Sequence, residues 1–331
     1  MLGKMGIDVH VSPLFSDEYV RALQTGHRSI AEIVRGYIRR SSILLARRDF
    51  DLLWIEKDVL PWLPALFEMP MLRRFPPFVV DYDDAVFHSY DLHRNACVRW
   101  ALSDKHRTIM QRASAVCTGS QYLMDYAIAA GGRRVVLIPT AVDLNRYARR
   151  TADNSAPGAS GVPTIVGWIG QRATARMLSP LASLFRELRA GNSARFVAVG
   201  IDPSDFGLPM EGVEWSEQTE VATISGFDVG IMPLIDEPFE RGKCGYKLIQ
   251  YMACGLPVVA SPVGVNRQLV EHGVNGFLAD TPHEWKSALL TLSQDGELRR
   301  RMGRAGREKV EQTYCTGITG PQLAHVLQTA I

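Results

Sequence analysis

The chain has 331 residues, of which 46% are hydrophobic and 22% charged, with a formal net charge of +2. That is the make-up of a globular protein long enough for two separate cores, and it excludes the disordered classes. The near balance of charge gives no concentrated basic face, so no nucleic-acid partner is expected. The cysteines at 97, 117, 244, 254 and 315 are odd in number and lack C-x-x-C spacing. They support neither a disulfide framework nor a zinc site and point to a reducing cytoplasm. No run approaches the ~18 uninterrupted apolar residues of a spanning helix, and residues 1–13 lack the apolar core of a signal peptide.

In chain order, residues 6–13 (GIDVHVSP) read as a glycine turn, an alternating strand and a proline stop. Residues 29–48 carry apolar Ile30, Ile33, Val34, Ile38, Leu44 and Leu45 at helical spacing beside Arg35, Arg39, Arg40, Arg47 and Arg48. The ordinary reading is a crossover helix with its apolar face in the core and its arginines in water. The alternative is a basic amphipathic face that meets anionic lipid. Strands are expected at residues 51–57 and 78–81, the second opening into Tyr82-Asp83-Asp84-Ala85-Val86-Phe87-His88. Asp81-x-Asp83 has the form of a metal-binding pair, and Asp83 or Asp84 could equally cap the turn before Val86. A strand at residues 115–118 leads to Ser120, placed to cap the next helix. A strand at 135–138 precedes the Gly-, Ser- and Pro-rich residues 149–161, an exposed linker and the expected domain boundary.

The second half opens with Thr164-Ile165-Val166-Gly167-Trp168-Ile169-Gly170, a buried strand ending in glycine, followed by Gln171-Arg172 and a helix. It is not a dinucleotide fingerprint, and Gly242-Lys243 is not a P-loop, since Glu237 and Cys244 stand where that motif needs Gly and Ser or Thr. Strands follow at residues 195–200, 213–215 and 227–234. Residues 239–280 organise the rest. A polar loop ending at Gly242 runs into a helical pattern from Lys243 to Ala253, stopped by Cys254-Gly255 and Pro257, and then a buried strand, Val258-Val259-Ala260. Loop, helix, glycine and buried strand make the ligand-binding half of a βαβ unit, where free amides at a helix start favour an anionic group such as phosphate. A turn and strand at 273–278 and helices at 284–292 and 297–312 complete the reading.

Ala253-Cys254-Gly255-Leu256-Pro257-Val258-Val259-Ala260 resembles, nearly letter for letter, the most recognisable run of the retaining glycosyltransferases of family 4. Val135 to Asp143 is similar to that family's Ile-Pro-Asn-Gly-Val-Asp run, with Thr140-Ala141 in place of Asn-Gly. The resemblance implies an α/β GT-B fold of two Rossmann-like doubly wound parallel-sheet domains facing a cleft. Residues 1–150 would be the acceptor-side domain, 151–313 the nucleotide-sugar donor domain, and 314–331 a segment crossing back. Residues 6–13 would be the family's second strand, so its first strand, glycine loop and most of its first helix are missing. That implies a start upstream or a sheet that has closed the gap.

The resemblance further implies metal-independent, retaining transfer of a sugar from a nucleotide diphosphate sugar to a glycan or lipid-linked acceptor, without a cofactor. The setting would be the cytoplasm, with possible peripheral contact at the inner membrane face, as in cell-envelope polysaccharide biosynthesis. The family's paired carboxylates fall here on Gly242 and Gln250. Gln250 would still serve the ribose, while Lys243 and Lys247 suggest a diphosphate grip by side-chain cations. Gly170, Arg172, Gly242, Lys243, Lys247, Gln250 and Trp215 would bind the donor, and Arg176 lies near the family's usual Lys. Trp215 would stack on the base, or be a core residue. Lys243, Asp83 and Asp84 would be the catalytic set, and His88 reads as structural. No nucleophilic triad or close carboxylate pair of a hydrolase is evident. The alternative is a non-catalytic GT-B relative acting as a nucleotide-sugar sensor or assembly protein.

Overall fold

The structure, a computed structural model, describes residues 1–24, 28–46, 49–74, 77–147 and 162–331. The expected linker at 149–161 and the arginines at 47 and 48 lie outside the described residues. The chain divides into a first unit, Met1–Pro139 with Arg241–Cys244 and Thr319–Ile331, and a second unit, Thr140–Glu240 with Gly245–Ile318.

The first unit is built on a parallel sheet of β1 (Leu53–Glu56), β2 (Phe78–Tyr82), β3 (Ala115–Thr118) and β4 (Val135–Leu137), in the order β1-β2-β3-β4. Val80, Tyr82 and Val116 point into one apolar cluster with Ile109, Met110 and Leu123. Val79, Ala115 and Cys117 point into another with Val326 and Leu327. Alternation of period 2 thus buries both faces, as a parallel sheet requires.

The second unit holds β5 (Thr164–Ile169), β6 (Ala194–Val199), β7 (Glu211–Val213), β8 (Val229–Met232), β9 (Val258–Ala260) and β10 (Gly276–Leu278). Their order is β10-β9-β8-β5-β6-β7, and every pairing is parallel. Val166, Trp168, Phe196 and Ile231 face one cluster; Ile169, Val199, Met232 and Val258 face the other. The order reverses direction at β5 and β8, the place where open α/β sheets hold ligands beyond the carboxyl ends of their strands.

Three expectations fail. Residues 7–13 form no strand: Val9 and Val11, which alternation would set on one buried face, are exposed, and the chain there follows a short 3-10 helix, Leu2–Met5. The helix Ile30–Ala46 buries Gly36 and Leu44 and turns Ile30, Val34 and Ile38 to solvent. Arg39 and Arg40, expected in water, instead donate to the carbonyls of Pro13, Leu14 and Ser12. The helix expected from Lys243 begins at Tyr246 and runs to Ala253, because Gly245 before it adopts left-handed backbone at φ 69°. Lys243 therefore lies outside the first helical turn.

Candidate functional site

In the second unit the central strand β5 ends at Ile169, and Gly170 follows at the sheet's reversal point. A β-carbon on Gly170 would meet the Trp168 indole at 2.5 Å and the Lys247 Cε at 3.0 Å. The position demands glycine, and Lys247 from the Tyr246–Ala253 helix is packed directly beside it. The Lys247 ammonium stands 5.6 Å from the centroid of the buried Trp168 ring, a cation-π contact that keeps the side chain over the strand end. Gly170 and Lys247, singled out separately in the sequence, are thus brought together. Beyond Gly170, Arg172 forms an ion pair with Asp205 and lies 5.2 Å from the Phe206 ring. Arg176 instead pairs with Glu240 at 3.2 Å and Glu237 at 3.6 Å. Glu240 is buried, and its Oε2 has no hydrogen-bond partner among the described residues.

Gln250 does not reach solvent. It is 2% exposed, and its amide donates to Tyr147 Oη at 2.7 Å and to Glu220 Oε1 at 3.0 Å. The expected contact with a ribose diol is not what the side chain does here; its donors are spent inside the unit. The same Glu220 accepts from Trp215 Nε1 at 2.8 Å through Oε2. Trp215 is 45% exposed, which corrects the core alternative: its ring N–H is anchored while much of the indole stays available. Sequence reasoning missed Glu220 and Glu240. Glu240 had a signal, a carboxylate two residues before Gly242; Glu220 had none, since its partners come from Tyr147, Trp215 and Gln250.

The second cluster lies within the first unit, at the carboxyl end of β2. Gly242 approaches Ala85 so closely that a β-carbon would stand 2.4 Å from that of Ala85. Beside it, the Cys244 thiol donates to the Asp83 carbonyl at 2.7 Å, and Lys243 Nζ lies 4.0 Å from Asp84 Oδ1. The three residues expected to be catalytic, Lys243, Asp83 and Asp84, therefore belong to one cluster. Asp83 is held by Lys57 Nζ at 2.8 Å, a residue that sequence reasoning did not select. Neither aspartate caps a helix: the turn His88–Asp91 begins at Phe87 without a side-chain cap. Asp81, on the strand itself, accepts from Trp54; burial, and then the charge of Asp83, push its carboxyl up to about 6. His88 is fixed by Asp91 and Tyr122, each at 2.8 Å, which agrees with a structural role. Ser120, expected to cap the helix Gln121–Ala129, makes no such bond, and its buried hydroxyl has no hydrogen-bond partner among the described residues.

Two units, each built on a parallel sheet of four or six strands, make an α/β fold of the GT-B type. Residues 163–295 match the family described as Glycosyl transferases group 1. It is 34% identical over 113 residues to a D-inositol 3-phosphate glycosyltransferase of Corynebacterium glutamicum, covering 34% of this chain and 26% of that one. It is 27% identical over 201 residues to the Segniliparus rotundus protein of the same name, covering 54% of this chain and 43% of that one. The chain thus spans less than half the length of these relatives. Anabaena HepE, solved in complex with UDP and glucose, superposes with a TM-score of 0.69 at 18% identity, covering 95% of this chain and 90% of that chain. That likeness shows the fold.

Proposed function

We propose that the protein is a glycosyltransferase that moves a sugar from a nucleoside diphosphate sugar, UDP-linked in the first instance, to a glycan or lipid-linked acceptor, with retention and without a metal ion. The observation that carries the reading is Lys247 packed against Gly170 at the reversal point of the sheet, a cation beside backbone that has no side chain. Such an arrangement suits a diphosphate, since transfer needs preorganised positive charge where the leaving group develops its own negative charge. Arg172 would join it by exchanging Asp205 for phosphate, as a guanidinium readily does. Trp215, held by Glu220, offers its face to the base. Lys243, with Asp84 setting its position, and the aspartates Asp83 and Asp84 would be the first unit's contribution to the transfer step.

Two details extend the reading. Ile30, Val34, Ile38 and Leu45 form an exposed apolar stripe with Arg35 nearby, which supports peripheral contact of this helix with an anionic membrane surface. Among the described residues no helix is long and apolar enough to cross a membrane. A second reading, nucleotide-sugar binding without turnover, is favoured by Gln250, whose amide is committed to Glu220 and Tyr147 and leaves no carboxylate at either position where the family carries one. Thermal unfolding with UDP and with GDP tests binding. A raised Tm with one of them, equal with and without a chelator, supports the reading; a shift abolished by the chelator returns Asp81 and Asp83 to the role of metal ligands. No shift with either nucleotide removes the proposal.

A further inference from the structure

Among the described residues only Lys57, Trp62 and Asn192 are non-glycine residues with left-handed backbone, and Lys57 (φ 67°) and Trp62 (φ 61°) share one loop, the one that follows β1. Each such residue costs on the order of 1 kcal/mol and persists only where its surroundings impose it. Here the surroundings are a buried set of charges. Glu68 Oε2 accepts from the amides of Val59 and Leu60 at 3.2 and 2.9 Å. Lys105 donates to the carbonyls of Leu60 and Leu63, and its ammonium lies 3.2 Å from Asp58 and 3.3 Å from Glu68. Tyr37 donates to the Pro61 carbonyl, and the Trp62 amide donates to Tyr90 Oη at 3.2 Å. Tyr90 in turn donates to Asp58 at 3.3 Å. Glu68 and Lys105 are almost fully buried, an arrangement that adds little net stability, because desolvation of both ions offsets their attraction. What it does achieve is to fix nearly every backbone group from Val59 to Leu63.

The residue held at the top of this loop is a tryptophan that is 53% exposed. Its indole meets Tyr90 edge-on, centroids 5.1 Å apart at 68°, and His93 at 5.9 Å and 81°. Lys57, at the start of the same loop, is the residue that holds Asp83. Trp62 therefore stands on the same carboxyl end of the first unit's sheet as the candidate catalytic aspartates. We propose that Trp62 is a stacking platform for a pyranose ring of the acceptor; this rests on the function proposed above and names the chemistry of its second substrate. A sugar ring has an apolar face of axial C–H groups that packs on an indole while its hydroxyls turn to polar partners, and a platform fixed in advance loses little entropy when the ring arrives. Leu66 and Phe67 are also exposed on the helix that follows, Ala65–Leu72, so a lipid surface is the competing occupant. A rigidly pinned single indole bordered by Tyr90 and His93 suits a ring of fixed shape better than a fluid one.

The test uses the full chain labelled with 5-fluorotryptophan, the resonance of Trp62 among the six tryptophans being assigned by its loss in Trp62→Phe. Methyl β-D-glucopyranoside, methyl α-D-mannopyranoside and N-acetylglucosamine are each titrated to about 100 mM, a range that reaches millimolar affinities. The expected result is a saturable shift of the Trp62 resonance with at least one of them, weakened about tenfold or more in affinity by Trp62→Ala when binding is followed on the ligand, with Trp62→Phe retaining most of it. The UDP-induced rise in Tm should be the same in both variants. A Trp62 resonance that no glycoside moves, or that responds only to phosphatidylglycerol vesicles, overturns the proposal, and the wild-type titration decides this even if Trp62→Ala does not fold. Absence of a thermal response to both UDP and GDP in the wild type would instead count against the donor reading, so the two failures are distinguishable.

Discussion

Gly242 and Ala85 touch backbone to side chain with no space for a β-carbon: one added at 242 would lie 2.4 Å from the Ala85 methyl. The resemblance to family 4 assigns this position a carboxylate, and its absence reads from sequence alone as a lost function. The structure gives it a packing reason. The segment Arg241–Cys244 is held against Asp83-Asp84-Ala85 by this contact, by the Cys244 thiol on the Asp83 carbonyl and by Lys243 near Asp84. Restoring the family residue should therefore do harm. Gly242→Glu is expected to destabilise by about 1–3 kcal/mol through overpacking and to lower turnover. Chemical denaturation and an initial-rate assay check it, and a variant as stable as the wild type and more active would show that the contact is dispensable.

Gln250 makes a parallel case. Its amide donates to Glu220 at 3.0 Å, so Gln250→Glu would set two carboxylates together in a buried site and remove a donor from both Glu220 and Tyr147. A loss on the order of 3 kcal/mol is expected at pH 7.5. Protonation of one carboxyl would restore a donor, so the deficit should shrink toward pH 5.5. A urea midpoint unchanged by the substitution at both pH values would place Gln250 outside this network.

The Asp81 carboxyl, pushed up to about 6 from an ordinary 3.8, gives a pH dependence of definite sign. The folded state prefers the protonated acid, so this group's stabilising contribution is present below pH 3.8 and is lost as pH rises through about 6. The loss is on the order of 3 kcal/mol at neutral pH. Asp81→Asn keeps an acceptor for Trp54 and removes the titration. It is expected to be about as stable as the wild type at pH 4 and clearly more stable at pH 7.5, by urea denaturation. Equal stability of the two proteins at pH 7.5 would contradict this.

Much of the architecture was legible in the sequence because its signals are local. Thr164–Ile169 and Val258–Ala260 are apolar runs closed by glycine or proline, and a strand buried on both faces has no other way to be written. Sequence marks Lys243, Asp83 and Asp84 separately, and the contacts that bring them into one cluster are not encoded locally. What failed depended on partners far along the chain. Residues 7–13 have strand alternation, but no sheet face covers Val9 and Val11. The face of Ile30–Ala46 departs from its periodicity because Arg39 and Arg40 find carbonyls at residues 12–14, which no helical spacing encodes. Periodicity starts the helix three residues early because Lys243 and Cys244 are compatible with a helix, and the left-handed Gly245, with Leu269 where its side chain would be, forbids it. Trp62 escaped notice altogether, since strain at a tryptophan has no signature in sequence.

The account of catalysis rests on Lys243 and on the metal-independent handling of a nucleoside diphosphate. Lys243 is only 14% exposed on its side chain and stands 4.0 Å from Asp84, so Lys243→Ala removes a positioned cation without opening a core. It should lower kcat by about 100-fold or more, with Tm little changed. Lys247→Ala is expected to act differently, raising the concentration of UDP needed for thermal stabilisation by about tenfold, since its ammonium lies over Trp168 beside Gly170.

The most direct measurement is release of nucleoside diphosphate from UDP-glucose, UDP-N-acetylglucosamine and GDP-mannose, each with a mixed pool of glycan and lipid-linked acceptors. The wild type and Lys243→Ala are compared, with and without a chelator. The account predicts acceptor-dependent release from at least one donor, unaffected by the chelator and reduced about 100-fold in the variant. Binding of a nucleotide without release from any donor would contradict transfer and leave the protein as a nucleotide-sugar binding relative of the family.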